Sequence, residues 1–427
     1  MHGFLDGLVR STKTVMTRVE VGGTLFLVAV VGVLLTSREE GDKSAVGDMR
    51  TGSSPSCYGR GRSGRTTSVT PRRRDRGDRG GGPLVFRVAV LSFWHVHAKD
   101  YALETKDHPG TEITAVWDED RERGQVEASK RGVPFHDDLE GLLSREDVDG
   151  VVVTTPTVAH REVIPAAARA GKHVFAEKVI APTLGEAREV VAEVEEAGVT
   201  FVVSLPRLYA GYTRAIREVL AGGAIGEPTY LRVRVSHDGA LPSAANPQGW
   251  LPERFFDPRQ SAGGVTIDFG AHPLYLLAHL LGIPEEVSAV YGHFTGRSVE
   301  DQSVVSMLYP NGALGVAEAS FLGSSARFLV EAHGTEGSLL YDPSGGLRTR
   351  RRGAERWSSA QVSADGGSPF GRWVELSSAG RTDPENVRAA LELSALAEAA
   401  NLSAHEGRPV RPGELPPGSR NKKGGVA

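Results

Sequence analysis

From Phe86 onward, short apolar runs alternate with segments whose apolar residues recur at helical spacing. "FRVAVLS" (86–92) is β-branched and reads as a buried strand. "HAKDYALETKDHPG" (97–110) reads as a helix stopped by Pro109-Gly110. "TEITAVWDED" (111–120) returns as a strand that ends on Asp118, and "RERGQVEASKRG" (121–132) as a polar helix ending at Gly132. Three more strands are predicted at "DVDGVVVTTPT" (147–157), "KHVFAEK" (172–178) and "VTFVVSLP" (199–206). Between them lie two helices, "HREVIPAAARAG" (160–171) and "TLGEAREVVAEVEEAG" (183–198). Thr183 and Glu186 in the latter stand at capping-box spacing. Repeated βα units with short connections predict a doubly wound parallel sheet, the Rossmann arrangement.

The first 84 residues break this pattern. "VGGTLFLVAVVGVLL" (21–35) is apolar but short for a spanning helix, which needs roughly 20 residues. It resembles a signal-type apolar region without a cleavage pattern after it. The stretch that follows is rich in Gly, Ser and Arg, has almost nothing to bury and is expected to be disordered. A membrane tether through 21–35 and an extension without a role are both open. Without the tether the protein is expected in the cytoplasm.

Composition narrows the field further. The 427-residue chain is long enough for two domains with substantial cores. A net charge of −4 gives no reason to expect nucleic acid, and a single cysteine, Cys57, excludes an internal disulfide. No clustered metal-ligand pattern is present, so no metal site is expected.

The turn after the first strand is where a dinucleotide fold places three glycines. Here Ser92, Trp94 and His97 occupy those positions. The helix behind still offers unpaired N–H groups to an anion, so Ser92, Phe93, Trp94, His95 and Val96 remain candidates for holding a dinucleotide. Trp94 is open to two readings, as a shield over a ring or as core. Asp118 stands where an acid bonds the adenosine ribose, and its charge would repel a 2′-phosphate. NAD is therefore favoured over NADP, although Asp118 also reads as a solvated loop acid.

"TTPTVAHREVIPAAARAGKHVFAEKVIAPTLGEA" (154–187) resembles the glucose-fructose oxidoreductase / inositol dehydrogenase family, often written Gfo/Idh/MocA. The family's T-P-N-x-x-H is matched at Thr155, Pro156 and His160, and its E-K-P at Glu177-Lys178. Thr157 replaces Asn and Val179 replaces Pro. "SAGGVTIDFGAHPLYLLAHLLG" (261–282) is similar to its G-G-x-x-x-D-x-G-x-H segment, and "GTEGSL" and "EGRPV" match later signatures.

The resemblance implies a Rossmann domain over 85–206 and an α/β domain with an open, mostly antiparallel sheet over 207–412. An extension over 1–84 and a disordered tail over 413–427 flank them. Runs at 228–238, 286–294, 302–310, 312–321 and 328–342 alternate as such a sheet requires. It further implies a homodimer or homotetramer, and hydride transfer on a secondary alcohol or carbonyl of a sugar, cyclitol or related polyol. Thr155, Pro156, His160, Glu177 and Lys178 would line the cofactor.

Lys178 would stabilise an alkoxide and His272 would act as base, with Asp268, four residues earlier, orienting the imidazole. Alone, Lys178 reads as a surface residue and Asp268 as a helix cap. Arg207 and Tyr212 are candidate substrate contacts or hinge packing, and His237 and Trp250, on a long loop over 236–258, are further candidate substrate contacts, Trp250 reading also as lid packing. The missing glycines and Val179 leave a second reading, a dinucleotide- or sugar-binding member without turnover.

Overall fold

The structure, a computed structural model, describes residues 85–323 and 328–416 and the backbone of two strands nearer the amino terminus. These two, β1 (Val15–Val21) and β2 (Thr24–Val30), pair antiparallel, with Val21 opposite Thr24. The apolar run over 21–35 therefore contributes a strand across Thr24–Val30. The tail expected to be disordered from 413 starts with a 3₁₀ turn over Pro412–Glu414 and a buried Leu415, while the rest of the apolar run, the Arg-rich stretch up to 84 and the residues from 417 lie outside the described residues. No helix among the described residues is long and apolar enough to cross a membrane. The chain divides into units spanning 1–70 and 71–427.

The second unit begins with the alternation expected: β3 (Phe86–Leu91), α1 (Ala98–Asp107), β4 (Thr111–Trp117), α2 (Arg121–Arg131), β5 (Phe135–His136) and α3 (Leu139–Leu143). It continues with β6 (Gly150–Val153), α4 (His160–Arg169), β7 (His173–Ala176), α5 (Leu184–Ala197) and β8 (Phe201–Val203). All six strands run parallel, in the order β5-β4-β3-β6-β7-β8. The order reverses between β3 and β6, and at such a switch point the loops diverge and leave a crevice at the carboxyl edge. Thr183 caps α5, with Oγ1 accepting from the Glu186 N–H at 3.2 Å and donating to Glu186 Oε2 at 3.0 Å, so the two residues pair through the hydroxyl and not through the reciprocal backbone bond of a full capping box.

The remaining elements are α6 (Gly211–Ala221), β9 (Pro228–Ser236), α7 (Pro258–Ser261), α8 (Ala271–Leu281), β10 (Glu286–Gly292), β11 (Gln302–Leu308) and β12 (Leu314–Ser320). After them come β13 (Phe328–Gly334), β14 (Gly337–Asp342), β15 (Gly346–Arg351), β16 (Ser358–Ala360), α9 (Pro369–Ala379) and α10 (Pro384–Glu406). Their eight strands form one sheet, β10-β11-β12-β9-β13-β14-β15-β16, antiparallel except where β9 meets β12. Burial along β11 alternates, so one face is packed and the other open. α8 packs on the covered face and is buried over almost its whole length. α9, late in the chain, returns to the parallel sheet: Phe370, Trp373, Val374 and Leu376 join one core cluster with Phe86, Val88, Phe175 and Val202. The long loop is not wholly irregular, because a 3₁₀ turn over Glu253–Phe256 leads into α7.

Candidate active site

The glycine-free loop between β3 and α1 keeps the backbone shape that glycine would supply. Ser92 has φ +79°, in the left-handed region that a side chain rarely enters. Its Oγ accepts from the Trp94 N–H at 3.0 Å, and its carbonyl accepts from Thr154 Oγ1 at 2.6 Å. These bonds help to hold a conformation that costs roughly 1–2 kcal/mol for a non-glycine residue. The neighbouring amides are also taken: Phe93 N–H by Asp118 Oδ2 at 2.8 Å, His95 N–H by the Thr154 carbonyl at 3.1 Å, and His97 N–H by His95 Nδ1 at 3.2 Å.

Trp94 is almost completely buried. Its ring stacks on Phe255 at 4.7 Å and its Nε1 donates to Gln260 Oε1 at 2.8 Å. Arg254 closes the contact from the same segment, with Nε donating to the Trp94 carbonyl at 2.6 Å. Of the two readings of Trp94, packing is the one formed: the second glycine position ties the loop to the segment before α8.

Asp118 lies at the end of β4 with its side chain fully enclosed. Arg123 grips it with Nε on Oδ2 at 3.0 Å and Nη2 on Oδ1 at 2.5 Å, and the Asp120 N–H adds a bond to Oδ1 at 2.9 Å. The solvated-loop reading is thereby replaced by a buried ion pair. Gly124 permits this approach of α2, since a Cβ there would meet Asp118 Cβ at 2.6 Å.

The carboxyl ends of β6 and β7 carry the matched motif residues. His160 opens α4, and its Nδ1 lies 2.8 Å from the Val179 carbonyl, which can only accept. Nδ1 therefore holds the proton, and the buried Nε2 lone pair has no partner. Thr155 Oγ1 is also buried and unpartnered, beside Pro156. Two such orphans at the crevice fit a ligand that brings its own hydroxyls and amide, as a dinucleotide does.

Lys178 follows β7 and is almost completely buried, not the surface residue its sequence position alone suggested. Its Nζ donates to Asp268 Oδ1 at 2.8 Å and to the Asp268 carbonyl at 2.7 Å. Two of three ammonium hydrogens are thus used and one remains. Asp268 lies in a turn before α8, held by Glu300, whose carboxylate accepts from the Gly264 and Thr266 N–H groups at 3.0 Å each.

His95 reaches the same place from the loop, with Nε2 3.4 Å from Asp268 Oδ1 and Nδ1 3.5 Å from Glu177 Oε1. Tyr101 donates to Glu177 Oε1 at 2.5 Å. Burial raises the pKa of both carboxyls. At Asp268 that rise is outweighed by Lys178 and His95, which leave it well below the usual range. At Glu177 it is outweighed by His95 and Lys178, and the pKa is lowered.

The expected pairing of Asp268 with His272 is not formed. α8 begins at Ala271, so Asp268 precedes the helix and the two share no helical face. His272 Nδ1 lies 2.9 Å from Tyr275 OH, and the same hydroxyl accepts from the Arg207 N–H at 3.1 Å. Burial, then Arg207 and Lys178, hold His272 well below the usual histidine range, so it is neutral at pH 7. Pro273 sits in the first turn, where its missing N–H has no intrahelical acceptor to lose.

A row of rings runs outward from His272: Phe269 at 5.6 Å, then His237 at 4.7 Å from Phe269, then Trp250 at 4.8 Å from His237. Arg207 lies over the Phe328 ring at 4.2 Å, with Nη1 on Tyr212 OH at 3.1 Å. Tyr212 in turn stacks on Tyr341 at 4.6 Å.

Sequence reading missed Tyr275, Arg123, Tyr101 and the Arg254–Phe255–Gln260 contact with the loop. Tyr275 carried a usable signal, three residues after His272 on an apolar helix. The Arg254 contact carried none, because 160 residues separate it from Trp94.

Comparison with known proteins agrees with both halves of this arrangement. Residues 87–205 match a profile described as "Oxidoreductase family, NAD-binding Rossmann fold", and residues 213–340 one described as "GFO/IDH/MocA C-terminal domain". The chain is 33% identical to 1,5-anhydro-D-fructose reductase of Ensifer adhaerens over 57% of its own length and 72% of that protein. It is 29% identical to scyllo-inositol 2-dehydrogenase (NAD(+)) of Bacillus subtilis over 60% and 73%. A 3-ketoreductase from Actinomadura kijaniata, solved in complex with NADP, shares the fold at a TM-score of 0.65 and 21% identity, covering 75% of this chain and 98% of its own.

Proposed function

As the chain belongs to the GFO/IDH/MocA family and is an NAD(P)-dependent oxidoreductase, we propose that it moves a hydride to or from a secondary alcohol or carbonyl carbon of a sugar, cyclitol or related polyol. The carrying observation is Lys178, pinned by Asp268 with one N–H to spare, close enough to a buried neutral imidazole to lower its pKa. The nicotinamide, when bound, supplies or receives the hydride. Lys178 donates to the substrate oxygen and stabilises the negative charge that develops there. His272 takes the hydroxyl proton at Nε2 in the oxidation direction, which requires the tautomer whose Nδ1–H donates to Tyr275 across the 2.9 Å contact. The Tyr275 oxygen has two lone pairs, so it accepts from His272 and from the Arg207 N–H together. Asp268 fixes the ammonium and is not the partner of the base.

Ser92, Phe93, Trp94, His95 and Val96 border the dinucleotide, with Thr155, Pro156 and His160 across the crevice. The loop amides already bonded within the protein are not free for phosphate. A bound pyrophosphate would therefore be held by the first turn of α1 and by side chains, in part through water. NAD remains the favoured cofactor because Asp118 ends β4, although Arg123 masks much of the charge that would repel a 2′-phosphate. His237, Trp250, Arg207 and Tyr212 border the substrate. The reading also takes the protein to be cytoplasmic and to assemble as a homo-oligomer through the open face of the second sheet.

The test is titration with both dinucleotides followed by a polyol screen at the reduced-nicotinamide absorbance. Tighter NAD binding and turnover of at least one polyol are expected. Asp118→Ser removes the acid and frees Arg123, so it should swing preference to NADP by about tenfold or more. A folded protein that binds neither dinucleotide contradicts the reading.

A further inference from the structure

Among the cations around the proposed reaction centre, one has no acid in contact with it among the described residues. Lys178 is neutralised by Asp268 at 2.8 Å. His272 is held neutral by burial and the cations near it. Arg207 is different. Its backbone N–H bonds Tyr275 OH, which bonds His272, so it stands one side chain from the imidazole. Its guanidinium lies on the Phe328 ring and reaches Tyr212 OH, while its buried Nε has no partner. No ion pair engages it among the described residues. A guanidinium has five N–H donors in a planar fork and is always charged, and in half-buried Arg207 the enclosed Nε is left without an acceptor. The cation–π contact with Phe328 offsets part of the desolvation but uses none of the fork.

From these contacts we infer that the substrate is an acidic polyol whose carboxylate is taken by Arg207, with its reacting hydroxyl between Lys178 and His272. The inference rests on the oxidoreductase reading above and names the substrate class within it. A carboxylate suits a guanidinium with no acid in contact, and its two oxygens match the fork bidentately. The rings of Phe328, Tyr212 and Tyr341 pack on one another beside the guanidinium, and such a low-dielectric flank strengthens an ion pair.

The experiment measures binding to the dinucleotide-loaded protein by calorimetry. Aldonates of four to six carbons are compared with the alditols of the same configuration, for example D-gluconate with D-glucitol. At least one aldonate should bind about tenfold or more tightly than its alditol, with the difference shrinking as salt is raised. Arg207→Met should bring that ratio to about one, and Arg207→Lys, which keeps the charge but not the fork, should retain part of it. If no aldonate binds more tightly than its alditol, the inference is overturned. Retention of the ratio in an Arg207→Met protein that still binds dinucleotide overturns it as well. Should Arg207→Met fail to fold, the unmodified protein and Arg207→Lys decide. Loss of dinucleotide binding by the unmodified protein counts against the oxidoreductase reading, whereas dinucleotide binding without a carboxylate preference counts against this inference alone.

Discussion

At the scale of single residues, the proposed division of labour between Lys178 and His272 sets what substitution should do. Lys178→Ala removes the donor at the developing alkoxide, and His272→Ala removes the base. Each should lower kcat on the order of 10²–10³-fold with dinucleotide binding retained. The double variant should be little worse than the worse single, since the two act as a unit. Asp268→Asn keeps a hydrogen-bond acceptor on Lys178 and should cost less. Because His272 lies well below the usual histidine range, the ascending limb of the oxidation rate belongs on the acid side of pH 6.5, with a flat profile through neutrality. That limb should be missing in His272→Ala. Tyr275→Phe leaves the Arg207 N–H and His272 Nδ1 without their shared oxygen. It should destabilise the fold by about 1–3 kcal/mol and lower kcat with little effect on dinucleotide affinity. Unaltered pH profiles and rates across these variants would exclude the assignment.

Among the elements, the β3–α1 loop departs furthest from what its position in the fold suggests. A glycine loop is tight because nothing obstructs it. This one is tight because Ser92 is held at positive φ by two hydrogen bonds and Trp94 is locked against Phe255 and Gln260. Trp94→Ala should therefore cost about 3–5 kcal/mol in denaturant unfolding. A loss below 1 kcal/mol would show that the ring does not anchor the loop. The strands and helices of the parallel sheet were legible because buried parallel strands and capped helices write their period into consecutive residues. Where two readings of Lys178 competed, the sequence could not decide. Burial depends on what packs over a strand end, here the turn carrying Asp268, 90 residues away.

For the whole molecule, burial and charge make acid the vulnerable direction. His160 and His272 have folded pKa values below those of the unfolded chain, as do Asp268 and Glu177. Between the two values the unfolded chain binds more protons, so stability rises with pH across that window. The contribution is complete above the unfolded value, roughly 6.5 for His and roughly 4 for the acids, and is lost as pH falls through the folded value. Thermal unfolding should be level from pH 8 to 7 and decline in two stages below; a Tm that holds constant to pH 4 would refute this. On the open face of the second sheet, Val290 opposes Val304 and Leu308 opposes Leu314, all exposed. Such a patch suits a subunit interface. Val304→Glu should lower the mass seen by light scattering from oligomer toward protomer; a protomeric unmodified protein would remove the interface.

The sequence alone determined the alternation of the first domain, the strand ends that carry Asp118 and Lys178, and the order of motifs that marks the family, because each is written in residues close along the chain. The tertiary structure decided which groups meet. It gave Asp268 to Lys178 instead of to His272, closed Arg123 over Asp118, brought His95 from the β3–α1 loop to Glu177 and Asp268, and left Arg207 without an acid among the described residues. Most of these contacts join segments far apart in sequence. Their distances follow from how the two sheets and their helices pack, which no local spacing encodes.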